Sequence, residues 1–158
     1  MFFDVPIHDD LPQTTLTHEE RCLTVTEIAD KKKVPRDFLN LLVIAEGGKK
    51  GQVVANTDGS SDLGPAQVNT IHHEYIERHY PEKSWSDVAS NVELNFSISA
   101  DIFRQCLHHP SVQQNVWEAV GCYNSKTVNI KTRYLYRVMR VWDRIQRSND
   151  LSCRNYWS

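Results

Sequence analysis

A glutamate that ends an amphipathic helix is the residue of this chain best suited to acid–base chemistry. Apolar residues precede it at positions i, i+3, i+4 and i+7 of one helical face, at Phe38, Leu41, Leu42 and Ala45. Pro35 suits the first helical turn and Gly47 suits a stop, so Glu46 is predicted to be the last helical residue. Lost hydration and the negative end of the helix dipole both disfavour its charged form there. A carboxyl group that stays protonated near neutral pH can act as a general acid, whereas most glutamates at helix ends are simply solvated.

The segment that follows is rich in turn-forming residues and predicts a looped or hairpin-like structure over 51–69. Its turn formers are Asn56, Asp58, Gly59, Ser60, Ser61, Asp62 and Gly64. The segment closes on the sequence Gly-Pro-Ala-Gln-Val at 64–68, and Asn69 comes directly after it.

The helices around this segment are predicted from capping pairs and apolar spacing. The pairs are Thr17 with Glu20, Ser90 with Glu93, and Asn115 with Glu118. They predict a helix over 17–29, a long central helix that ends at Pro110, and a helix that brings Tyr123 and Asn124 to its C-terminal end. Another helix is expected between Asn69 and Pro81, and a last helix over 131–147 has one apolar stripe, at Tyr134, Val138, Val141 and Ile145.

These elements together resemble the goose-type lysozyme and soluble lytic transglycosylase family. In that family a helix ends in a catalytic Glu and a Gly-Leu-Met-Gln-Ile/Val segment follows, matched here by Glu46 and 64–68. The family's Ala-Tyr-Asn-Ala-Gly element is matched by Cys-Tyr-Asn-Ser at 122–125, and its Tyr at the start of the last helix, with Val four residues on, is matched by Tyr134 and Val138. The four elements occur in the family's order, and the closest likeness is to the small transglycosylases of secretion, conjugation and pilus systems.

The resemblance implies a lysozyme-like fold and a site that needs no metal or cofactor. Glu46 would be the catalytic acid and base, and Tyr134 would orient its carboxyl. The residues implied to bind substrate are Gly64, Gln67, Asn69, Tyr123, Asn124 and Tyr134. The implied substrate is the glycan strand of peptidoglycan, and the implied partners are components of a secretion, conjugation or pilus apparatus.

The implied reaction is cleavage of the β-1,4 bond between N-acetylmuramic acid and N-acetylglucosamine. Most glycosidases use two carboxylates. The family's transglycosylases use one, because the substrate's own acetamido oxygen attacks C1. Glu46 would protonate the leaving oxygen and then deprotonate the C6 hydroxyl, which closes a 1,6-anhydro ring without water.

Departures from the family pattern keep two alternatives open. Gly47 replaces a Ser, 65–66 reads Pro-Ala in place of Leu-Met, and Lys126 replaces a Gly. A non-catalytic module that binds peptidoglycan or assembles with a secretion system is one alternative. A hydrolytic goose-type muramidase is the other, but such enzymes place a carboxylate directly after the Gln-Val pair, where this chain has Asn69. An amide cannot act as a base, so transglycosylation is favoured, although Asp58 and Asp62 lie upstream as carboxylates that could position water.

Length and composition predict one compact domain, and the predicted elements with the family resemblance imply that it is mainly α, of the α+β lysozyme-like class, with a minor β-hairpin. The chain has 158 residues, of which 40% are apolar and 24% charged. We expect an extended arm over 1–16, the domain over 17–147, and a tail over 148–158 packed on the domain. No apolar run reaches the ~18 residues that a membrane span requires.

One or two disulfides would fit the expected periplasmic or otherwise exported location, and buried free thiols are the alternative. The four cysteines, Cys22, Cys106, Cys122 and Cys153, lack CxxC spacing, and three pairings are possible. Related transglycosylases often join a Cys of the first helix to one just before the middle helix. That second position falls at 91–93, which holds no Cys, so if Cys22 is bridged its partner must be a different cysteine. The first residues lack the features of a secretory signal, so we expect either that a signal was removed or that export follows another route.

The charge pattern argues against nucleic acid as a partner. The net charge is −2 and the isoelectric point is about 6.4, whereas dedicated nucleic-acid binders tend to be strongly basic. Arginines nevertheless recur on the last helix, at Arg133, Arg137, Arg140, Arg144 and Arg147. Such a face can hold an anionic ligand or surface, but is usually solvated. The histidines at 72, 73 and 79 lack a His-x-x-x-His pair, so they predict groove-rim or surface positions and no metal site.

Overall fold

Seven α-helices and a small antiparallel sheet make up the computed structural model, which describes Ile7, residues 10–124 and residues 128–157. The helices are α1 (His18–Lys32), α2 (Arg36–Glu46), α3 (His73–His79), α4 (Trp85–Ser90), α5 (Val92–Leu107), α6 (Val116–Asn124) and α7 (Val128–Arg147). The strands are β1 (Val53–Ala55), β2 (Ser61–Leu63) and β3 (Val68–Asn69), and 3-10 turns cover Thr70–His72 and Arg154–Tyr156. The predicted mainly α, α+β single domain is confirmed. Within the described residues, no helix combines the length and the apolar character needed to cross a membrane.

Helix α5 forms the centre of the core, since its side chains are buried on every face over 94–103. Helices α1, α4 and α6 pack against it. Phe96, Ile98 and Phe103 have no exposed surface, and Ser99 and Ala100 allow close approach of neighbouring helices. The prediction of a long central helix is confirmed.

The predicted start of that helix is wrong, because Ser90 and Glu93 do not cap it. Ser90 is the last residue of α4, and the side chain of Asn91 accepts a hydrogen bond from the Leu94 N–H at 2.9 Å. Asn91 is extended, with φ −93° and ψ 111°, so the chain bends there between two helices. Ser and Asn are both favourable N-cap residues. The bend between α4 and α5 places Asn91, and not Ser90, at the N-cap of α5. Sequence reasoning also missed α4, whose own capping box is formed by Ser84 with Asp87.

Helix α2 is enclosed on more sides than its apolar spacing predicts. Leu39, Leu41 and Leu42 have no exposed surface, and the polar Asn40 is only 1% exposed. Phe38, predicted to face the core, is partly buried and packs against Trp117 and Trp142 with ring centroids 5.2 and 5.1 Å away. Helices α1 and α7 both contact α2. This enclosure fixes where the last residue of α2, Glu46, can lie.

The turn-rich segment forms the predicted hairpin and adds a third strand. Strand β2 pairs antiparallel with β1 and with β3, and Leu63 lies opposite both Val53 and Val68. The fully buried side chain of Asn95 joins this sheet to α5. Its Nδ2 donates to the Leu63 and Val88 carbonyls at 2.8 and 2.9 Å, and its Oδ1 accepts from the Ala66 N–H at 2.8 Å. A buried amide with all these bonds made holds the 64–68 loop against the central helix.

The four cysteines form two disulfides, which confirms the expectation of at least one. Cys106–Cys122 joins α5 to α6, and Cys22–Cys153 joins α1 to the C-terminal tail. Nδ2 of Asn40 donates to the Leu151 carbonyl at 3.1 Å, which adds a second tie to that tail. A ring nitrogen of His18 and the sulfurs of Cys22 and Cys153 lie within 4.8 Å of one another, but the disulfide occupies both sulfurs.

The N-terminal arm predicted over 1–16 is described at Ile7 and from residue 10 onward, and its other positions lie outside the described residues. Thr14 and Lys50 exchange backbone hydrogen bonds of 3.0 and 2.9 Å. Ile7, Leu11 and Leu16 pack against the core.

Replacing Gly64 by Ala should destabilise the fold more than replacing Gly59 by Ala. Both glycines have positive φ, 71° and 88°, so both substitutions incur backbone strain of about 1–2 kcal/mol. A Cβ at Gly64 would also lie 2.5 Å from Nδ2 of Asn95, whereas at Gly59 no described atom lies within 4 Å. Urea unfolding of the two variants measures the difference, and equal losses of stability would contradict the tight packing at Gly64.

Candidate active site

The side chain of Glu46 lies half-buried between the end of α2 and the side of α7. Glu46 is the last residue of α2, as predicted, and Gly47 ends the helix in the left-handed conformation with φ 63°. Tyr134 of α7 is 4% exposed, and its hydroxyl donates a hydrogen bond to Oε1 of Glu46 at 3.0 Å. The two residues are 88 positions apart in sequence, so their contact depends on the packing of α7 against α2.

Burial raises the pKa of Glu46 above the usual value for a glutamate, because the desolvated carboxylate loses hydration. The hydrogen bond from Tyr134 and the positive charge of Arg137 act in the opposite direction, and the negative charge of Asp62 adds to the rise. Desolvation also raises the pKa of Tyr134, so its phenol stays a neutral donor. Relative to an exposed glutamate, the site therefore shifts Glu46 toward the protonated carboxyl, the state that a general acid requires.

Arg137 belongs to this site, although its sequence pattern assigned it only to a basic face. Its Nη1 donates to the Ala45 carbonyl at 2.8 Å, at the C-terminal end of α2. Its guanidinium carbon lies 5.1 Å from the centre of the Tyr134 ring. A cation here opposes the negative end of the α2 dipole. In the sequence, Arg137 lies one helical turn after Tyr134. Only the contact with the Ala45 carbonyl shows that this position belongs to the site.

Glu46 lines a cavity of about 220 Å³ that brings together residues from distant parts of the chain. The lining residues are Glu46, Asp62, Gln67, Val68, Asn69, Ile71, His72, Ile102, Tyr123 and Asn124. Five of the seven predicted site residues, Glu46, Gln67, Asn69, Tyr123 and Asn124, therefore share one cavity. Tyr134 reaches the site through its hydrogen bond to Glu46.

The seventh predicted residue, Gly64, is buried beneath the cavity and does not line it. Its carbonyl accepts hydrogen bonds from both the backbone N–H and the Nε2 of Gln67, each at 3.0 Å. Gln67 has φ 51°, a conformation uncommon outside glycine that this pair of bonds stabilises. Gly48 approaches from the other side, and a Cβ there would lie 2.1 Å from the Gly64 carbonyl oxygen. Gly64 thus positions Gln67 instead of contacting a ligand.

Asn69 and Asp62 form a hydrogen-bonded pair in the wall of the cavity. Nδ2 of Asn69 donates to Oδ1 of Asp62 at 2.9 Å, and Nδ2 of Asn56 donates to Oδ2 at 3.1 Å. Oδ1 of Asn69 accepts from the Ile71 N–H at 2.9 Å, so the orientation of the amide is fixed at both ends. Of the two upstream carboxylates, Asp62 lines the cavity, whereas Asp58 is exposed in the β1–β2 turn and bonds to Ser60. Antiparallel pairing places Asp62 opposite Asn69, which sequence reasoning did not foresee.

Tyr123 and Asn124 end α6 on the opposite wall from the sheet. The hydroxyl of Tyr123 lies 2.7 Å from that of Ser99 on α5, and burial raises the pKa of the phenol. The Cys106–Cys122 disulfide fixes the residue directly before Tyr123. Ser125 and Lys126, which complete the matched element, lie outside the described residues.

A second cavity of about 320 Å³ continues from the first. It shares Ile71, His72, Ile102, Tyr123 and Asn124 with the first cavity and extends to His109 and the Cys106–Cys122 disulfide. His72 lines both cavities, as a groove-rim histidine should, and burial lowers its pKa. A larger, open depression of about 560 Å³ lies between α1, α4 and α5 and contains none of the predicted site residues.

The departures at 65–66 lie beneath the site. Pro65 and Ala66 are buried, and neither lines the cavity. The Ala66 N–H is held by Asn95 and the Pro65 carbonyl accepts from the Gly48 N–H at 3.0 Å. The departures at 65–66 therefore change buried residues that hold the loop in place, and not the residues that line the cavity.

Comparison with known proteins gives a distant relative and no family assignment. No protein-family model matches the chain. The chain is similar to the invasion protein IagB of Salmonella typhi and of Salmonella typhimurium strains SL1344 and LT2, at 29% identity over 110 residues in each case. The similarity covers 66% of this chain and 62% of each relative, so the chain spans less than two thirds of the relatives' length.

Replacing Arg137 by Met should raise the pKa of Glu46 further, because the substitution removes a charge that stabilises the carboxylate. Tyr134→Phe should act in the same direction, since it removes the hydrogen bond to Oε1. Carbon-13 NMR titration of the Glu46 carboxyl measures both shifts. Arg140→Met, one turn further along α7, is the matched control and should leave the Glu46 pKa where it is. An unchanged Glu46 pKa in Arg137→Met would show that Arg137 does not act on the carboxyl.

Proposed function

We propose that this protein is a peptidoglycan lytic transglycosylase that cleaves the bond between N-acetylmuramic acid and N-acetylglucosamine. The observation that carries the proposal is a half-buried Glu46 with a raised pKa, bonded to Tyr134 and lining a cavity shared with Gln67 and Tyr123. The motif resemblance supports the proposal, because Glu46, Gln67, Asn69, Tyr123 and Asn124, which it implies as site residues, line this cavity. The similarity to an invasion protein supports a role in local cell-wall remodelling for a secretion or pilus apparatus.

Glu46 begins the reaction as the acid. The Tyr134 hydroxyl donates to Oε1, so the carboxyl proton resides on Oε2, the oxygen that remains able to protonate a leaving group. As the glycosidic oxygen takes this proton, the acetamido oxygen of the substrate attacks C1, and the C1–O bond breaks. The resulting carboxylate is stabilised by the same Tyr134 hydrogen bond and by the Arg137 charge.

Glu46 then acts as the base in the second step. Its carboxylate takes the proton of the C6 hydroxyl, and the C6 oxygen displaces the acetamido oxygen from C1 to close the 1,6-anhydro ring. No water is consumed, and the carboxyl returns to its protonated state. The C6 hydroxyl belongs to the same sugar, so its effective concentration at C1 is far above that of an unpositioned water.

The remaining cavity residues supply hydrogen bonds to the sugar. Gln67, Asn69 and Asn124 present amides, and Tyr123 presents a neutral phenol held by Ser99. An acetamido group has one donor and one acceptor, which such side chains can bind and orient for attack on C1. The backbone bonds that fix Gln67 and Asn69 limit the reorganisation required when substrate binds.

A hydrolytic muramidase is the second candidate function. The position of Asp62 favours it. Its carboxylate lines the same cavity as Glu46. Glycosidases that position water usually have two carboxyl groups, one on each side of the scissile bond. Both oxygens of Asp62, however, already accept hydrogen bonds from Asn69 and Asn56, which compete with a water molecule for them.

An exported location follows from the proposed substrate. Both disulfides are compatible with an oxidising compartment such as the periplasm. The proposed reaction requires no metal, cofactor or nucleic acid.

Glu46→Gln should keep the fold and remove activity, because the amide has nearly the same size but cannot transfer the proton. General acid–base catalysis typically contributes 10² to 10⁴-fold, so turnover should fall to about 1% or less. Turbidity of purified peptidoglycan measures lysis, circular dichroism checks folding, and exposed Glu93→Gln is the matched control. Wild-type lysis by folded Glu46→Gln would refute the assignment, and absence of lysis by the unmodified protein would favour the non-catalytic module.

The products distinguish transglycosylation from hydrolysis. Mass spectrometry of the digest should show muropeptides lighter by one water than the hydrolysed forms, as 1,6-anhydro ends require. Asp62→Asn should leave this product unchanged, whereas Asn69→Asp should shift the ratio toward hydrolysis if it shifts at all. A digest with only reducing ends, abolished by Asp62→Asn, would establish the muramidase instead.

A further inference from the structure

One side of α7, next to its buried stripe, carries a continuous row of arginines. Tyr134, Val138, Val141 and Ile145 are buried, while Arg133, Arg137, Arg140, Arg144 and Arg147 are all exposed. At 3.6 residues per turn these arginines fall within an arc of about 80°, and at 1.5 Å per residue they extend over about 21 Å. The row therefore lies along one edge of the molecule over roughly four helical turns.

Few acidic groups neutralise these arginines. Among the described residues, Asp143 is the one carboxylate in a salt bridge with the row, through Arg147 at 3.0 Å, and Arg137 also acts on the Glu46 carboxyl. Arg133 and Arg140 reach only main-chain oxygens of their own helix, each at 3.5 Å. Five of the chain's 18 lysines and arginines thus form a locally positive surface on a protein whose net charge is −2.

Exposed apolar side chains accompany the arginines. The large hydrophobic residues that are exposed in the described part of the chain are Leu23, Ile71, Ile130, Tyr136 and Met139, and three of these lie on α7. Tyr136 is 65% exposed and Met139 44% exposed, and they lie one turn apart on the helix, with Arg140 next to Met139 in the chain. Arg, Tyr and Met are the residue types enriched in protein–protein interfaces.

We propose that this surface, the α7 docking face formed by Arg133, Tyr136, Met139, Arg140 and Arg144, binds an acidic amphipathic helix of a partner protein. Carboxylates one helical turn apart on the partner would pair with Arg140 and Arg144. Apolar side chains on the adjacent turn of the partner helix would cover Tyr136 and Met139, which precede Arg140 on α7. The proposal goes beyond the proposed catalytic function and does not require it.

Other anionic partners fit this surface less well. The apolar stripe of α7 is buried in the core, so the helix cannot insert into a lipid surface as an interfacial amphipathic helix does. Among the described residues, those that line the two connected cavities come from other elements, so a helix on the docking face leaves the glycan site open. A contact of about four helical turns is small for a stable complex, which predicts a transient, salt-sensitive interaction.

The experiment measures fluorescence anisotropy of three labelled probes with the full chain at low and at physiological salt. The first probe is a 21-residue designed helix, about the length of the row, with Glu and Leu on one face. The second has Gln in place of every Glu, and the third is polyglutamate of the same charge. The proposal expects micromolar binding of the first probe, at least tenfold weaker binding of the other two, and weaker binding at higher salt.

Variants test which surface is responsible. Arg140→Glu with Arg144→Glu should weaken binding of the first probe at least tenfold, and Tyr136→Ser with Met139→Ser severalfold. Lys31→Glu with Lys83→Glu changes the net charge equally at exposed positions elsewhere and should have little effect. Circular dichroism establishes that each variant is folded.

Three outcomes would overturn the proposal. If polyglutamate bound as tightly as the first probe, and the Tyr136 and Met139 substitutions had no effect, the face would bind polyanions nonspecifically. Tighter binding to vesicles of phosphatidylglycerol and phosphatidylcholine than to the acidic helix would assign it to membranes. Failure to bind the acidic helix would exclude a docking site of this chemistry.

Discussion

The structure depends on keeping one carboxyl group half-buried between two helices. The pKa of Glu46 is raised because α2 is enclosed up to its last residue and α7 packs against α2, so the carboxylate loses hydration. Desolvation alone would tend to move the carboxyl to the surface, which the hydrogen bond from Tyr134 and the charge of Arg137 offset. The opposing effects leave a carboxyl that can both lose and recover a proton. That reversibility is the property that a single residue needs if it is to serve as acid and then as base.

The wall formed by the 64–68 loop, next to the end of α2, is held by polar bonds in a region that is otherwise tightly packed. Asn95 ties Leu63 and Ala66 to the central helix, and Gly64 supports Gln67. Because Gly48 and Gly64 leave no room for a side chain, the loop approaches the end of α2 closely. Pro65 and Ala66, which depart from the family pattern, are among these buried residues. The site can therefore retain its polar lining although the sequence of the loop differs from the family pattern.

The proposed active site and the proposed docking face involve different sides of α7. The buried side of α7 carries Tyr134, which bonds to Glu46, while its exposed side carries arginines with few acidic partners and three exposed apolar side chains. Arg137 lies at the boundary, because it touches the end of α2 and also belongs to the arginine row. The two disulfides reinforce this arrangement, one beside Tyr123 on α6 and one between α1 and the tail.

The sequence by itself determined the local features of this protein. Apolar spacing and a following Gly predicted that Glu46 ends a helix, turn formers predicted the hairpin, and the Asn115 cap predicted where α6 begins. These features depend on neighbours in the chain, which a sequence displays directly. At Ser90 and Asn91, where two good caps are adjacent, local preference could not choose, and the bend between α4 and α5 decided.

Only the tertiary structure decided which distant residues meet. Spacing could not show that Arg137 reaches the Ala45 carbonyl, that Asn69 faces Asp62 across a strand pair, or that Gly64 lies below the cavity. The pairing of Cys22 with Cys153 was equally open, since three pairings satisfied the sequence. Such contacts depend on helix packing and strand register, which are set by the shape of the whole core and not by the order of residues near each position.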